Sequence, residues 1–397
     1  MPADSPEALA REVLIHGPIS RGALGRRLGL SPASLTRLAK PFLQRGIFVE
    51  RDDESNGGVG RPVRPLDVAS DLGSFAGIKL TGDAVYAVLT DARAQIRAER
   101  EVALTNSDPA AVVALVHDLI TGFEALGPPA LLGIGLSIGG AVDDDGRVVR
   151  APFLGWTDIP LASEVSMATG LPVTLENDVV ALVEAERWFG AGRGRPGFSV
   201  ITIGAGVGYG LVIGGESVHT REAGVGLGGH IPLDPTGPLC FEGHRGCSSA
   251  LITSVGMCAQ MQAALGRPID YDEVLSLARE GHPAAAAVVD AAARGLGRLI
   301  ALAANLTMQP TVVLAGEGLG LWEIGETRVR AATAADRDPL ADPVEILVDE
   351  AGFRAWARGA AAVAIQAAVA RIGETPSKAT RRRRNGRPDA SGDRERA

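Results

Sequence analysis

The stretch Phe198-Ser199-Val200-Ile201-Thr202-Ile203-Gly204-Ala205-Gly206-Val207-Gly208-Tyr209-Gly210-Leu211-Val212-Ile213 decides how most of this 397-residue chain is read. Two apolar runs, 198–203 and 208–213, flank a glycine-rich turn, so the pattern is strand, turn, strand. A dinucleotide-binding fingerprint needs a helix after its glycines. Another strand follows here, which argues against that reading. Backbone N–H groups of such a turn can cradle an anion, and a tight hairpin alone also accounts for the glycines. Gly316-Glu317-Gly318, after a later strand, admits the same two readings.

The pattern around this stretch has an earlier counterpart. Residues 75–80, 84–90 and 94–102 read as consecutive strands, with turns at Thr81-Gly82-Asp83 and Asp91-Ala92-Arg93. An amphipathic helix over 108–126 leads to a buried strand over 131–137. A helix (162–169), a strand (173–175) and a helix (about 179–189) follow. Beyond 213 come a strand over 216–219, long Ala-rich helices, and strands over 312–315 and 344–347. Two halves that each open with a β-meander and continue with alternating helices and strands predict a duplicated α/β body.

Composition suits a globular protein: 46% hydrophobic and 22% charged residues. No apolar run of 18 residues occurs, and Met1-Pro2-Ala3-Asp4-Ser5 lacks the features of a signal peptide, so a cytoplasmic protein without a membrane span is expected. Three cysteines fit a reducing compartment. The formal charge of −8 is unevenly distributed. Residues 1–66 carry 10 Lys/Arg against 7 Asp/Glu, residues 67–373 carry 21 against 36, and residues 374–397 carry 8 against 4. A basic head, an acidic body and a basic tail are the expected domains. The tail, with Arg381-Arg382-Arg383-Arg384 and almost no apolar residues, is expected to be disordered.

The head reads as three short helices. The first spans about 6–16; Ser20 caps the second after the break at Gly17-Pro18; Ser31-Pro32 starts the third. The third helix buries Leu35 and Leu38 and turns Ala33, Ser34, Thr36, Arg37 and Lys40 outward, and Pro41 is expected to shorten or kink it. An extended run at 46–50, a polar loop over 52–60 and a second extended run over 62–68 complete a β-wing. The candidate DNA contacts are Ser31, Ser34 and Thr36 near backbone or base edges, Arg37 and Lys40 toward bases or phosphates, and Arg61 toward a minor groove.

Glu176-Asn177-Asp178 lies between a strand end and a helix start, where side chains enter the cleft of α/β proteins. Asp178 there is a base for a sugar hydroxyl, a hydrogen-bond acceptor for it, or a helix cap. His230, Cys240 and Cys247 are metal candidates, with Glu242 or His244 as the fourth ligand of a structural zinc site.

The chain resembles the ROK group (repressors, open reading frames, kinases), in particular its regulators with a winged helix-turn-helix fused to a sugar-kinase-like body. The resemblance rests on Gly17-Pro18-Ile19-Ser20-Arg21, Gly29-Leu30-Ser31, Gly60-Arg61-Pro62, Ala151-Pro152, Gly155-Trp156, Glu176-Asn177-Asp178, Phe189-Gly190-Ala191-Gly192, and Gly229-His230 leading to Cys240–Cys247. It implies an α/β, actin-like (ribonuclease-H-like) body with a ligand cleft. It also implies homodimers or homotetramers on palindromic operators, and a repressor responding to a sugar or sugar derivative. Asn177, Asp178 and His230 are the effector contacts it implies, and His230, Cys240, Glu242 and Cys247 the metal ligands, with Glu242 where the family carries a cysteine. Lys79 stands where the family has a magnesium-holding acid, and Ala205 replaces a threonine of the second phosphate loop. Leu227, Ser249 and Phe153 replace two glutamates and an asparagine of the sugar pocket. These departures argue against ATP as a cofactor and against the rival reading, a sugar kinase using Asp178 as general base.

Overall fold

The computed structural model describes residues 5–51, 64–220, 222 and 224–373. Arg61, most of the wing loop and the basic tail lie outside the described residues. The chain divides into two compact units, Met1–Ala69 with Gln366–Ala397, and Ser70–Ile365.

The head comprises α1 (Pro6–His16), α2 (Arg21–Leu28), α3 (Pro32–Gln44) and the antiparallel pair β1 (Phe48–Glu50) and β2 (Leu66–Val68). Each helix opens on a serine: Ser5, Ser20 and Ser31 accept from the N–H groups of Ala8, Ala23 and Ser34 at 3.1–3.2 Å, which stabilises each start by about 1 kcal/mol. Gly29, at φ 64°, ends α2 in the left-handed conformation. The three helices share a core of Leu9, Val13, Leu14, Leu24, Leu35, Ala39 and Phe42, closed by Phe48 and Leu66 from the two strands.

Pro41 does not shorten the third helix. Helix α3 runs through Pro41 to Gln44. Proline in a helix interior costs about 3 kcal/mol, and the packing of the last turn offsets it. Phe42 is buried and stacks on Phe48 with ring centroids 4.6 Å apart. The buried stripe is accordingly Leu35, Ala39 and Phe42, with Leu38 only half-buried.

The body opens with the antiparallel strands β3 (Ser74–Leu80), β4 (Ala84–Asp91) and β5 (Ile96–Ala103). After α4 (Pro109–Glu124), β6 (Leu131–Ile138) pairs parallel to β3. A small antiparallel sheet that the sequence reading did not anticipate follows: β7 (Ala141–Val142), β8 (Val148–Ala151) and β9 (Trp156–Ile159). Helix α5 (Leu161–Thr169) returns the chain to β10 (Val173–Asn177), parallel to β6, and α6 (Asp178–Trp188) leaves it.

The second half repeats this plan. Strands β11 (Gly197–Ile203), β12 (Val207–Ile213) and β13 (Glu216–Ser217) form the meander, followed by α7 (Ser248–Ile252), α8 (Ser254–Leu265), α9 (Tyr271–Arg279) and α10 (Pro283–Thr307). Then come β14 (Thr311–Ala315), α11 (Gly320–Ala335), β15 (Glu345–Val348) and α12 (Phe353–Gly373). The sheet orders are β10-β6-β3-β4-β5 and β13-β12-β11-β14-β15. In both, the first meander strand is central and two parallel strands extend its free edge, so the duplicated α/β architecture is present.

Helices α6 and α12 link the halves. Leu182 and Val183 of α6 pack with Ala355 and Trp356 of α12 against Phe198, Val200, Val212 and Val313 of the second sheet. Against the first sheet α12 makes backbone contact: a Cβ at Gly135 would lie 1.7 Å from the Ala360 carbonyl oxygen, and one at Gly77 2.0 Å from that of Ala357. Only glycine allows the helix to lie this close.

Candidate functional site

The outward face of α3 is the candidate nucleic-acid surface. Thr36, Arg37 and Lys40 are exposed, and Ser34 is half-buried. Ser31 Oγ caps α3 and donates to Ser34 Oγ at 3.1 Å, while Thr36 Oγ1 donates to the Pro32 carbonyl at 2.9 Å. These hydroxyls are therefore partly satisfied within the helix. The cations differ. Arg21 and Arg64 pair with Glu50, Arg27 with Glu12 and Arg51 with Asp67. Among the described residues Arg37 and Lys40 enter no ion pair, which leaves two unneutralised charges on one exposed helix face.

The second cluster lies where β10 passes into α6. Asn177 is buried and hydrogen-bonded through both amide atoms. Its Oδ1 accepts from Val179 and Val180 N–H at 2.9 and 3.2 Å, capping α6, and its Nδ2 donates to the Gly140 carbonyl at 2.9 Å. Asp178 accepts from Val179 N–H through Oδ1, and its Oδ2 is taken by the ammonium of Lys79 from β3. That lysine is buried, with Nζ 5.1 Å from the ring centroid of Trp356. The ring of Phe153, 62% exposed, and the Asp178 carboxylate both lie beside Gly139, at 3.4 and 3.3 Å from where its Cβ would be. The Lys79–Asp178 pair, 99 residues apart, was not anticipated. A lysine where the resemblance expects an acid was its only signal.

The Phe189–Gly192 motif has a structural explanation. Ala191 N–H donates to the Glu186 carboxyl at 2.7 Å, and a Cβ at Gly190 would lie 2.4 Å from that carboxyl. Burial, together with the neighbouring Asp349, pushes Glu186 up to about 7.

The third cluster is thiol and imidazole. A hairpin brings Leu239 opposite Arg245 and Pro232 opposite Cys247, and Cys240 N–H donates to the His244 carbonyl at 2.9 Å. Gly243, at φ 84°, makes the turn. Cys240 Sγ lies 3.7 Å from Nδ1 of both His230 and His244, and Cys247 Sγ lies 3.8 Å from Nδ1 of His230. Ligand atoms around a tetrahedral zinc stand about 3.5 Å apart, given metal bonds of about 2.0–2.3 Å. Among the described residues the ligand atoms of His230, Cys240 and His244 lie within 4.8 Å of one another and fit such an ion, with the Cys247 thiol close to His230 as a further candidate. Of the two residues weighed as the fourth ligand, both exposed in the hairpin turn, His244 lies in the cluster. Local desolvation raises the Cys240 thiol, but hydrogen bonds from the His244 and Glu242 backbone and from the His244 and Cys247 side chains outweigh it, lowering it to about 6. Thiolate, the ligating form, is thereby favoured. Burial pushes Cys247 up.

The candidate effector residues thus belong to separate networks. Asn177 caps α6, Asp178 pairs with Lys79, and His230 turns Nδ1 toward the thiols. Leu227 is 63% exposed, and Ser249 Oγ donates to the Gly229 carbonyl at 2.6 Å.

Two sheets of identical order, two linking helices and an acid at the start of the first of these define an actin-like body of the sugar-kinase type, preceded by a three-helix head with a β-ribbon. The chain belongs to the ROK family, whose model matches residues 75–367. It is 27% identical to the xylose repressor of Bacillus subtilis over 68% of this chain and 71% of that one. It is 32% identical to the glucokinase of Thermotoga maritima over 47% of this chain and 63% of that protein. A solved ROK family transcriptional regulator, described as a homolog of the Escherichia coli MLC protein, superposes with a TM-score of 0.75 at 24% identity, covering 92% of this chain and 97% of that one. At that identity the likeness establishes the fold alone. Among the described residues no helix is long and apolar enough to cross a membrane.

Proposed function

We propose that this chain is a DNA-binding transcriptional repressor whose body binds a sugar or sugar derivative and does not phosphorylate it. The observation that carries the reading is the pair of unneutralised cations, Arg37 and Lys40, on the exposed face of a serine-capped third helix. A helix of this kind enters the major groove with its N-terminal residues toward base edges. The relative named as a xylose repressor supports a sugar as effector. Two copies of the head, brought together in a homodimer or homotetramer, read a palindromic operator in this proposal. Effector binding in the body changes the spacing of the heads and weakens that reading.

The test is operator binding, with the operator recovered by in vitro selection on the full chain. Arg37→Ala is expected to cost about 1–3 kcal/mol and to relax the preference at one base position. Lys40→Ala is expected to weaken all sequences alike and to reduce the salt dependence by about one phosphate contact. Unchanged affinity and preference in Arg37→Ala would sink the assignment.

The similarity to a glucokinase favours a second reading, the sugar kinase. Against it, the Asp178 oxygen that would accept a hydroxyl proton already accepts from Lys79. A coupled assay with ATP, magnesium and a hexose panel is expected to give no turnover. Turnover abolished by Asp178→Asn would replace the repressor reading.

A zinc ion held by His230, Cys240, His244 and Cys247 would tie the 230–247 segment together and supply structural rather than catalytic chemistry, since four protein ligands leave no open position. Elemental analysis of the purified chain is expected to give one zinc, retained in Glu242→Ala and lost in His244→Ala. Loss in the first variant with retention in the second would restore Glu242 as the ligand.

A further inference from the structure

The turn Gly204-Ala205-Gly206 joins β11 to β12 and exposes backbone N–H groups, as an anion cradle does. Two of the three are already occupied, that of Gly204 by the Gly206 carbonyl at 3.0 Å. Ala205 N–H donates to Glu317 Oε1 at 2.7 Å, and a Cβ at Gly204 would lie 2.0 Å from the same carboxyl group. The carboxylate therefore rests directly on the turn. Its backbone is held in place, because Gly318 N–H donates to the Ile203 carbonyl at 2.8 Å and Gly316 adopts φ 105°. Beside it opens a cavity of about 570 Å³, lined among others by Tyr271, Asp272, Arg279, Glu317, Glu323 and Glu350. That volume is within the range of small-molecule sites. Among the described residues its one lining cation, Arg279, faces Glu323 at 3.9 Å.

We propose that Glu317 determines the specificity of this pocket: its carboxylate stands in for a ligand phosphate on the 204–206 turn, so the pocket rejects nucleoside phosphates and other polyanions. An incoming phosphate must displace a charge-assisted hydrogen bond that costs no association entropy to keep, because its acceptor is tethered to the chain. The phosphate also meets the carboxylates of Asp272, Glu323 and Glu350, whose repulsion the single Arg279 does not cancel. The inference rests on the reading of the body as a non-phosphorylating, effector-binding unit, and it names the residue that keeps nucleotide out.

The experiment is titration calorimetry of the full-length chain with inorganic tripolyphosphate and with ATP, each with and without magnesium. The wild type is expected to show no saturable binding of either at millimolar concentration. Glu317→Ala frees the Ala205 N–H and removes a charge, and is expected to bind tripolyphosphate at least tenfold more tightly than the wild type. Glu317→Gln keeps an acceptor for Ala205 N–H but loses the charge, and is expected to fall between the two. Circular dichroism melts establish that each variant is folded, and the glutamine variant, nearly the same shape, serves if the alanine variant is not. Saturable binding by the wild type at an affinity that neither substitution improves would overturn the proposal, as would two folded variants that bind no better than the wild type. Hexose-dependent ATP turnover by the wild type would instead overturn the non-kinase reading, so the two failures are distinguishable.

Discussion

Gly135→Ala is expected to leave the body largely unfolded at 37 °C. The added methyl would meet the Ala360 carbonyl oxygen at 1.7 Å, about half of a normal contact distance, and both partners are backbone. A flexible side chain could swing aside; a helix carbonyl beneath a sheet cannot. Relief requires α12 to lift from β3 and β6, and Gly77 shows the helix equally close one strand away, at 2.0 Å from Ala357. Overpacking of side chains usually costs about 1–3 kcal/mol. A clash that separates two buried layers belongs with the exceptional losses above about 4 kcal/mol. Against a total stability of about 5–15 kcal/mol, that removes most of the margin. The control is Gly122→Ala in α4, where nothing lies within 4 Å of the new methyl. There the lower helix propensity of glycine predicts stabilisation by about 0.5–1 kcal/mol. Urea unfolding followed by circular dichroism compares the two. A Gly135→Ala protein within 1 kcal/mol of the wild type would mean that α12 does not lie against the sheet as described.

Lys79→Met is expected to cost about 3–5 kcal/mol, the usual loss when one member of a buried ion pair is removed and the other keeps its charge. Methionine preserves the length and apolar stem of the side chain, so packing against Trp356 is largely retained and the loss falls on the Asp178 carboxylate. That carboxylate keeps one hydrogen bond, from Val179 N–H at 2.8 Å. Replacing both partners should recover much of the loss: Lys79→Met with Asp178→Asn leaves no charge without a partner. The same urea experiment on the two single variants and the double variant gives the coupling between the sites. Strict additivity would show that the pair contributes nothing.

Much of the fold was legible in the sequence because its signals are local. A serine before each head helix, the period-2 apolar runs of the two meanders and the strand after Gly204-Ala205-Gly206 specify elements within windows of a few residues. The halves could be matched because each repeats the same order of strands and helices. The small sheet of β7, β8 and β9 was missed: its strands have two to four residues, too few to display a period. That α3 continues past Pro41 was left open for the opposite reason. A strong local signal was overridden by the burial of Phe42 against Phe48.

At the candidate sites the residue types were visible, and their partners were not. Sequence alone determined that Asp178 begins a helix at a strand end, that Lys79 cannot hold a cation, and that two cysteines and a histidine lie within one short segment. Tertiary structure decided that Lys79 occupies Asp178, that Glu317 reaches Ala205 across 112 residues of chain, and that His244 lies beside His230 and Cys240. The physical reason is range. Caps and periodicity act between neighbours in the chain, whereas an ion pair or a ligand set depends on which distant segments the packed sheets and a single hairpin register bring within about 4 Å.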